Sequence, residues 1–387
     1  MCTVANMTDA PPALATRTPA GDPAWLVTDY DLVRTLLADP RLGRAHPDPE
    51  HAPRYSASVL FGRPQPVSPT AAADHARMRR LLSPWFSARR LEALRPRVRE
   101  LVAGLLDGLA ASGPPVDFHE AVSFPLPALV ICELLGVPYA DRADFRRWSD
   151  EAADMTDEER SFAGLAALFG YLSRLVEAKL DDPGEDVLSG LVAAHRADPD
   201  DLPLSAVAQL GAGLLFAGHE TTVAAIDKGV VLLAGNPAQR AALRADPGLV
   251  ESTVEEILRS DSPTRPAAPA GTSTGLARWA SADIELPGLR IAAGELVLLG
   301  LHDANRSVRV VGERPGFAVD RRPNPHVTFG FGAHFCLGAP LARLELRELF
   351  DALLARFPAI DLAVPVAELR PRADRLAGGL EELPVTW

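Results

Sequence analysis

Cysteine is nearly absent from this chain of 387 residues: Cys2, Cys132 and Cys336 are its three, odd in number and far apart. Such a set excludes a disulfide framework, and its scarcity fits a reducing compartment such as the cytoplasm. Positive charge is also short, with 39 Lys and Arg against 51 Asp and Glu and a net charge of -12. That balance removes any sequence-wide attraction to phosphate backbones or anionic lipid, so no nucleic-acid partner is expected. No uninterrupted apolar run approaches the roughly 18 residues that a membrane span requires. The N-terminus has no basic region followed by an apolar one, and no membrane association is expected. Core material, by contrast, is ample at 47% hydrophobic residues, which argues against disorder for most of the chain.

Residues 1–22 (MCTVANMTDAPPALATRTPAGD) are rich in Pro, Ala and Thr without apolar periodicity and read as a mobile leader. From Trp25 onward helical patterns dominate, over 30–37, 76–86, 89–109, 124–135, 161–179 and 202–234, with Leu, Ala and Arg frequent, as strong helix formers should be. The period changes over 282–299 (ADIELPGLRIAAGELVLL), which alternates around Pro287-Gly288 and predicts short antiparallel strands. A Pro- and Gly-rich stretch at 307–328 leads into a last strong helix over 341–357, and the end (GGLEELPVTW) reads as a hairpin. No internal repeat or linker stands out. The expectation is one large domain, mainly α with a minor antiparallel β part.

The stretch Phe329-Gly330-Phe331-Gly332-Ala333-His334-Phe335-Cys336-Leu337-Gly338 precedes an amphipathic helix. Its glycine spacing suits neither phosphate-binding motif: no Lys-Ser/Thr pair follows, and Cys336 stands where a dinucleotide turn needs its last Gly. An iron thiolate explains it better. A buried sulfur anion needs backbone N–H groups around it and benefits from a following helix N-terminus. Glycines let the backbone curl round the sulfur and let a flat macrocycle approach. Phe329, Phe331 and Phe335 would keep the bond dry, and His334 could reach a carboxylate of the macrocycle. Zinc is excluded because Cys336 and His334 offer at most two ligands. Cys132, within VICELLG, reads as a buried core thiol.

This stretch resembles the haem-binding signature of cytochromes P450, with phenylalanine, glycine, cysteine and glycine at the family's positions. The resemblance implies a cytochrome P450 fold over residues 23–387, haem b as cofactor, and Cys336 as the proximal iron ligand. Phe329, Gly330 and Gly338 then line the cofactor.

The long helix at 205–234, opened by Ser205 and closed by Gly235-Asn236-Pro237, carries Ala217-Gly218-His219-Glu220-Thr221-Thr222 inside an apolar body. Ala217 and Gly218 leave room beside the helix, and a threonine hydroxyl can bond the carbonyl one turn back. A zinc-protease helix would need a second His at position 223, which is Val223. Beside the cysteine loop, the segment is similar to the family's oxygen-activation element. That likeness implies that Thr221 holds bound dioxygen and a water, and that Glu220 passes protons inward.

Glu256 and Arg259 in VEEILR stand three apart on one helix face. They resemble the family's Glu-x-x-Arg element, which supports the cysteine loop structurally. The usual third partner is an Arg in a Pro/Arg/Phe segment; here that segment reads Arg314-Pro315-Gly316-Phe317, so Gly316 replaces it and Arg314 is a possible substitute. The resemblance also implies haem carboxylate contacts from His75 and Arg79, four apart in HARMR, from Arg278 before the strand pair, and from His334. Arg265 is an alternative to Arg278, because 260–277 is longer and richer in Pro and Gly than the family's usual connection. The likeness runs from about Trp25 to Trp387; the N-terminal helix many relatives carry before Gly21 is not evident.

The resemblance further implies a monooxygenase of secondary metabolism, acting on a small-to-medium organic molecule with dioxygen. No flavin or iron–sulfur motif is present, so electrons from NAD(P)H are expected through an external ferredoxin and ferredoxin reductase, with Arg343 and Arg347 attracting the ferredoxin, and the protein acting as a monomer. Candidate pocket segments are 56–70, 160–175, 214–217, 263–275 and 377–380, mainly small and apolar. Oxidative coupling without oxygen insertion and a haem-binding sensor are the competing readings. A hydrolase lacks a nucleophile elbow.

Overall fold

The computed structural model describes residues 13–286, 288–375 and 377–387. The first twelve residues of the expected leader, and Pro287 of the expected turn, lie outside them. Among the described residues the helices are α1 (Tyr30–Ala38), α2 (Ala71–Leu82), α3 (Ala88–Ser112), α4 (Pro125–Leu135), α5 (Arg142–Ala152), α6 (Glu158–Asp181), α7 (Val187–Ala197), α8 (Leu204–Gly235), α9 (Pro237–Ala245), α10 (Val250–Arg259), α11 (Leu301–Arg306), α12 (Val308–Val311) and α13 (Ala339–Arg356). The strands are β1 (Leu14–Arg17), β2 (Pro23–Val27), β3 (Leu42–Gly43), β4 (Ala45–His46), β5 (Gln65–Pro66), β6 (Val116–Asp117), β7 (Leu276–Ala280), β8 (Ile284–Leu286), β9 (Leu289–Ile291), β10 (Leu296–Leu299), β11 (Asp361–Leu362) and β12 (Pro384–Thr386).

The backbone groups into two compact units, residues 13–71, 267–315 and 325–336, and residues 72–266, 316–324 and 337–387. The first carries a five-stranded sheet in the order β1-β2-β10-β7-β3. Its neighbours run antiparallel except β10 and β2, which are parallel. Val27, Val33, Leu36, Ile291, Val297 and Leu299 form part of its core. The expected alternation around Pro287 is realised as β8 paired with β9.

In the second unit α8 is the axis, 32 residues long and so about 48 Å. It starts at Leu204 after Pro203 rather than at Ser205. Three of its glycines are contact points. A Cβ on Gly211 would meet Leu188 of α7 at 2.8 Å, one on Gly218 would meet Ile131 of α4 at 2.9 Å, and one on Gly229 would meet Phe350 of α13 at 2.2 Å. The missing side chains therefore let α7, α4 and α13 pack directly on the α8 backbone.

Three expectations need correction. The patternless leader does not extend to residue 22, because Leu14–Arg17 pairs with Pro23–Leu26 and Thr18 is buried with its hydroxyl on the Arg54 carbonyl at 2.7 Å. Strand pairing supplies the order that local composition does not. The terminal segment is not a self-contained hairpin, since β12 lies between β11 and β6 with buried Val385 opposite Leu362 and Val116. Helices α5, α7, α9, α11 and α12 are not expected from the sequence. In α5 the buried face is Phe145, Ser149 and Ala152, and two small or polar members hide the apolar period.

Candidate active site

The cysteine loop belongs to the first unit. Gly330 and Gly332 have φ of 73° and 75°, a left-handed conformation that side chains resist. Those two reversals let the Cys336 N–H donate to the Phe329 carbonyl at 2.8 Å and the Phe335 N–H to Gly332 at 3.1 Å. A Cβ on Gly332 would also press on Ala38 of α1 at 3.2–3.3 Å. Gly338 serves as the N-cap of α13. The Phe329 and Phe335 rings meet edge to face with centroids 6.3 Å apart. Phe331 takes another part from the one expected: its ring lies under the Arg34 guanidinium at 4.4 Å, a cation–π contact. The Cys336 residue is exposed, and Phe331 and Phe335 keep 37% and 39% of their surfaces. Cys132 is buried, which pushes its thiol up to about 12, the behaviour of a core cysteine.

In the second unit the polar segment of α8 is laid out by helical period. Gln209, Gly213, Ala217 and Thr221, four apart, form an exposed stripe along α8, and space beside Gly213 is open. Thr221 donates to the Ala217 carbonyl at 3.1 Å and Thr222 to that of Gly218 at 3.3 Å. Ala217 leaves room as expected. Gly218 does not, because Ile131 fills the space its side chain would need. Glu220 is buried, and burial holds its carboxyl above the ordinary range, with Arg372 and Asp150 acting on it in opposite senses. His219, given no role from sequence, is fully buried; its Nε2 lies 3.2 Å from the Phe124 carbonyl and its Nδ1 has no partner, 3.7 Å from Glu220 Oε1. Burial lowers its pKa to about 4, so it is neutral at neutral pH. A surface cleft of about 350 Å³, lined by Phe124, Arg146, Asp150 and Arg372 among others, lies in the same unit.

The expected anion-binding cations divide between the units. His75 and Arg79 share a face of α2; burial and then the Arg79 charge lower the His75 pKa. Arg77, between them, is turned to Asp201 at 3.0 Å. In the first unit Arg278 has no carboxylate partner among the described residues, and burial, aided by Arg44, lowers its pKa to about 10. Arg265, its alternative, pairs with Asp261 at 3.2 Å. His334 sits on the exposed turn Gly332–His334. Arg343 and Arg347 do not present bare charge, since Glu255 holds the first at 2.7 and 2.9 Å and Glu251 the second at 3.1 Å.

Glu256 and Arg259 form a buried bidentate pair at 2.8 Å. The third partner is Arg321 and not Arg314. Arg321 is buried and donates to Glu256 at 3.0 Å and to the Gly316 carbonyl at 2.7 Å, whereas Arg314 is exposed. The Ala318 N–H and the Asn324 amide also donate to Glu256, each at 3.0 Å. Loss of the side chain at Gly316 is thus met by its carbonyl and by an arginine five residues later.

Comparison with known proteins bears on the whole chain. The family model for cytochrome P450 matches residues 160–362. The chain is 39% identical to pentalenolactone synthase of Streptomyces exfoliatus, over 97% of this chain and 93% of that one. It is 40% identical to cytochrome P450 monooxygenase PikC of Streptomyces venezuelae, over 100% and 90%. Its backbone superposes on the LnmA cytochrome P450 hydroxylase of the leinamycin pathway of Streptomyces atroolivaceus with a TM-score of 0.84 at 39% identity, covering 98% and 94%. The chain belongs to the cytochrome P450 family. This P450 is accordingly an oxidoreductase, a monooxygenase, and the family implies haem, dioxygen and a redox partner. In the first unit the residues present fit a haem: a cysteine left exposed among exposed phenylalanines, and a half-buried arginine with no acidic partner among the described residues. Among the described residues no helix is long and apolar enough to cross a membrane.

Proposed function

We propose that this P450 binds haem b through the Cys336 thiolate, takes electrons from NAD(P)H by way of a ferredoxin and its reductase, and oxidises a small-to-medium organic molecule of secondary metabolism. Cys336 would ligate the iron, with Phe329, Gly330 and Gly338 against the macrocycle and His75, Arg79, Arg278 and His334 toward its carboxylates. When bound, the haem supplies the dioxygen chemistry, to which the thiolate contributes electron density. The chain's own groups govern protons and water. Burial raises the Glu220 carboxyl above its ordinary range, so that it holds its proton more tightly than a solvated carboxyl and can hand it on inside a dry wall. The Thr221 hydroxyl, exposed on α8 and anchored by its own hydrogen to Ala217, keeps its lone pairs to accept from a water. The neutral His219 beside Glu220 adds no charge that would favour losing that proton. Hydroxylases and synthases of secondary metabolism among the relatives support the substrate class.

The observation that carries this reading is the doubly reversed glycine turn that closes Cys336 onto Phe329 while leaving the cysteine exposed. Reducing the purified protein under carbon monoxide tests it. A thiolate-type spectrum is expected, and Cys336→Ser is expected to abolish it while leaving the fold intact. Haem held by histidine in the wild type, or no haem uptake by a folded protein, would refute the assignment. Oxygen-18 incorporation into product then separates insertion from coupling.

A further inference from the structure

The sheet of the first unit holds an arrangement of charge that the sequence motifs do not announce. Strand β3 pairs antiparallel with β7, Leu42 opposite Ala280 and Gly43 opposite Trp279. Continuing that register by one residue sets Arg44 opposite Arg278. Directly opposed residues point to the same face with Cβ atoms about 5 Å apart, and like charges so placed repel. On its other side Arg278 faces Val297, which is buried and apolar. Trp279, the intervening residue, points to the opposite face, where its indole donates to the Pro53 carbonyl at 2.9 Å.

Neither arginine is neutralised. Arg44 donates to the Leu60 carbonyl and lies over the Phe61 ring at 5.2 Å, and Arg278 donates to the Ala277 carbonyl at 2.7 Å. Among the described residues these neutral contacts are their polar partners, and no carboxylate reaches either. Burial lowers the pKa of both, and the Arg44 charge lowers that of Arg278 further. Two half-buried guanidiniums in register, with N–H groups to spare, form a fork suited to a planar anion.

We propose that Arg44 and Arg278 clasp one carboxylate group between them, which makes Arg44 a binding residue of this P450. The carboxylate is either the cofactor's, in which case the proposal rests on the haem-thiolate reading, or a substrate's. Arg44→Gln keeps a donor for Leu60, and Arg44→Met keeps the stem over Phe61, so loss of folding is not the expected outcome of both.

Holoprotein loaded with haem, or with haem dimethyl ester, is mixed with apomyoglobin and the release rate followed. In parallel, ferric holoprotein is titrated with decanoate and with methyl decanoate, reading the spin-state shift. A cofactor carboxylate predicts haem release about tenfold faster in either Arg44 variant, the loss of one charge-assisted hydrogen bond, with dimethyl ester release unchanged. A substrate carboxylate predicts decanoate affinity about tenfold weaker, with methyl decanoate and haem release unchanged. In both cases the apoprotein variants melt no lower than wild-type apoprotein, because a repulsion has been removed. Equal acceleration of haem and dimethyl ester release, or no change in either release or decanoate affinity, overturns the proposal. A thiolate carbon monoxide spectrum retained in the wild type then leaves the haem-thiolate reading standing, whereas its absence there would fell that reading first.

Discussion

Replacing Arg321 by Met should cost this P450 a large share of its stability, and replacing Arg314 should cost almost nothing. Arg321 is 4% exposed and joins a Glu256 carboxylate that is 0% exposed. In Arg321→Met the carboxylate retains Arg259 at 2.8 Å, the Ala318 N–H and the Asn324 amide, so its charge is not orphaned. What disappears is the 3.0 Å ionic hydrogen bond and the 2.7 Å donor to the Gly316 carbonyl. Removing one member of a buried ion pair costs about 3–5 kcal/mol; with Arg259 still in place the lower end, about 3 kcal/mol, is expected. That is a substantial fraction of a total of about 5–15 kcal/mol. Equilibrium urea unfolding of wild type, Arg321→Met and Arg314→Met, compared at constant slope, gives the differences. The exposed Arg314 should fall within about 0.5 kcal/mol of wild type. A loss at Arg314→Met matching that at Arg321→Met, or a loss at Arg321→Met below about 0.5 kcal/mol, would show that Glu256 does not depend on Arg321.

Thr221→Ala should keep haem and the thiolate carbon monoxide spectrum while diverting electrons to peroxide; product formed per NAD(P)H consumed, equal in variant and wild type, would refute the role given to its hydroxyl. Glu345 of α13 is buried with Oε2 unpartnered, and burial raises its carboxyl well above 4.5. Because the folded form holds that proton more tightly than the unfolded form, this contribution is fully present below the unfolded value and is lost as pH rises through the folded one. Glu345→Gln should therefore melt higher than wild type at pH 8 with the gap closing toward pH 4, and a gap that widens on acidification would contradict the argument.

Much of the site was legible as sequence because its signals are local. A glycine two residues from another, both before a cysteine, reports backbone reversals that other residues resist, and φ values of 73° and 75° at Gly330 and Gly332 bear this out. A four-residue interval on a long helix places Ala217 and Thr221 on one stripe, as observed. Strands were harder. Leu14–Arg17 has no alternation of its own and is ordered by the ladder to β2, while β12 finds partners at 116–117 and 361–362 that no local pattern names.

Sequence alone therefore determined the glycine turn before Cys336, the family, the helical body and the polar interruption of α8, since each depends on spacing within one turn or one helix. Tertiary structure alone decided that Arg321 takes the place left by Gly316, that Ile131 occupies the room beside Gly218, and that Arg44 faces Arg278. Those pairings join residues from 5 to more than 230 positions apart. Burial and charge balance choose such partners in three dimensions, and a linear pattern carries no record of either.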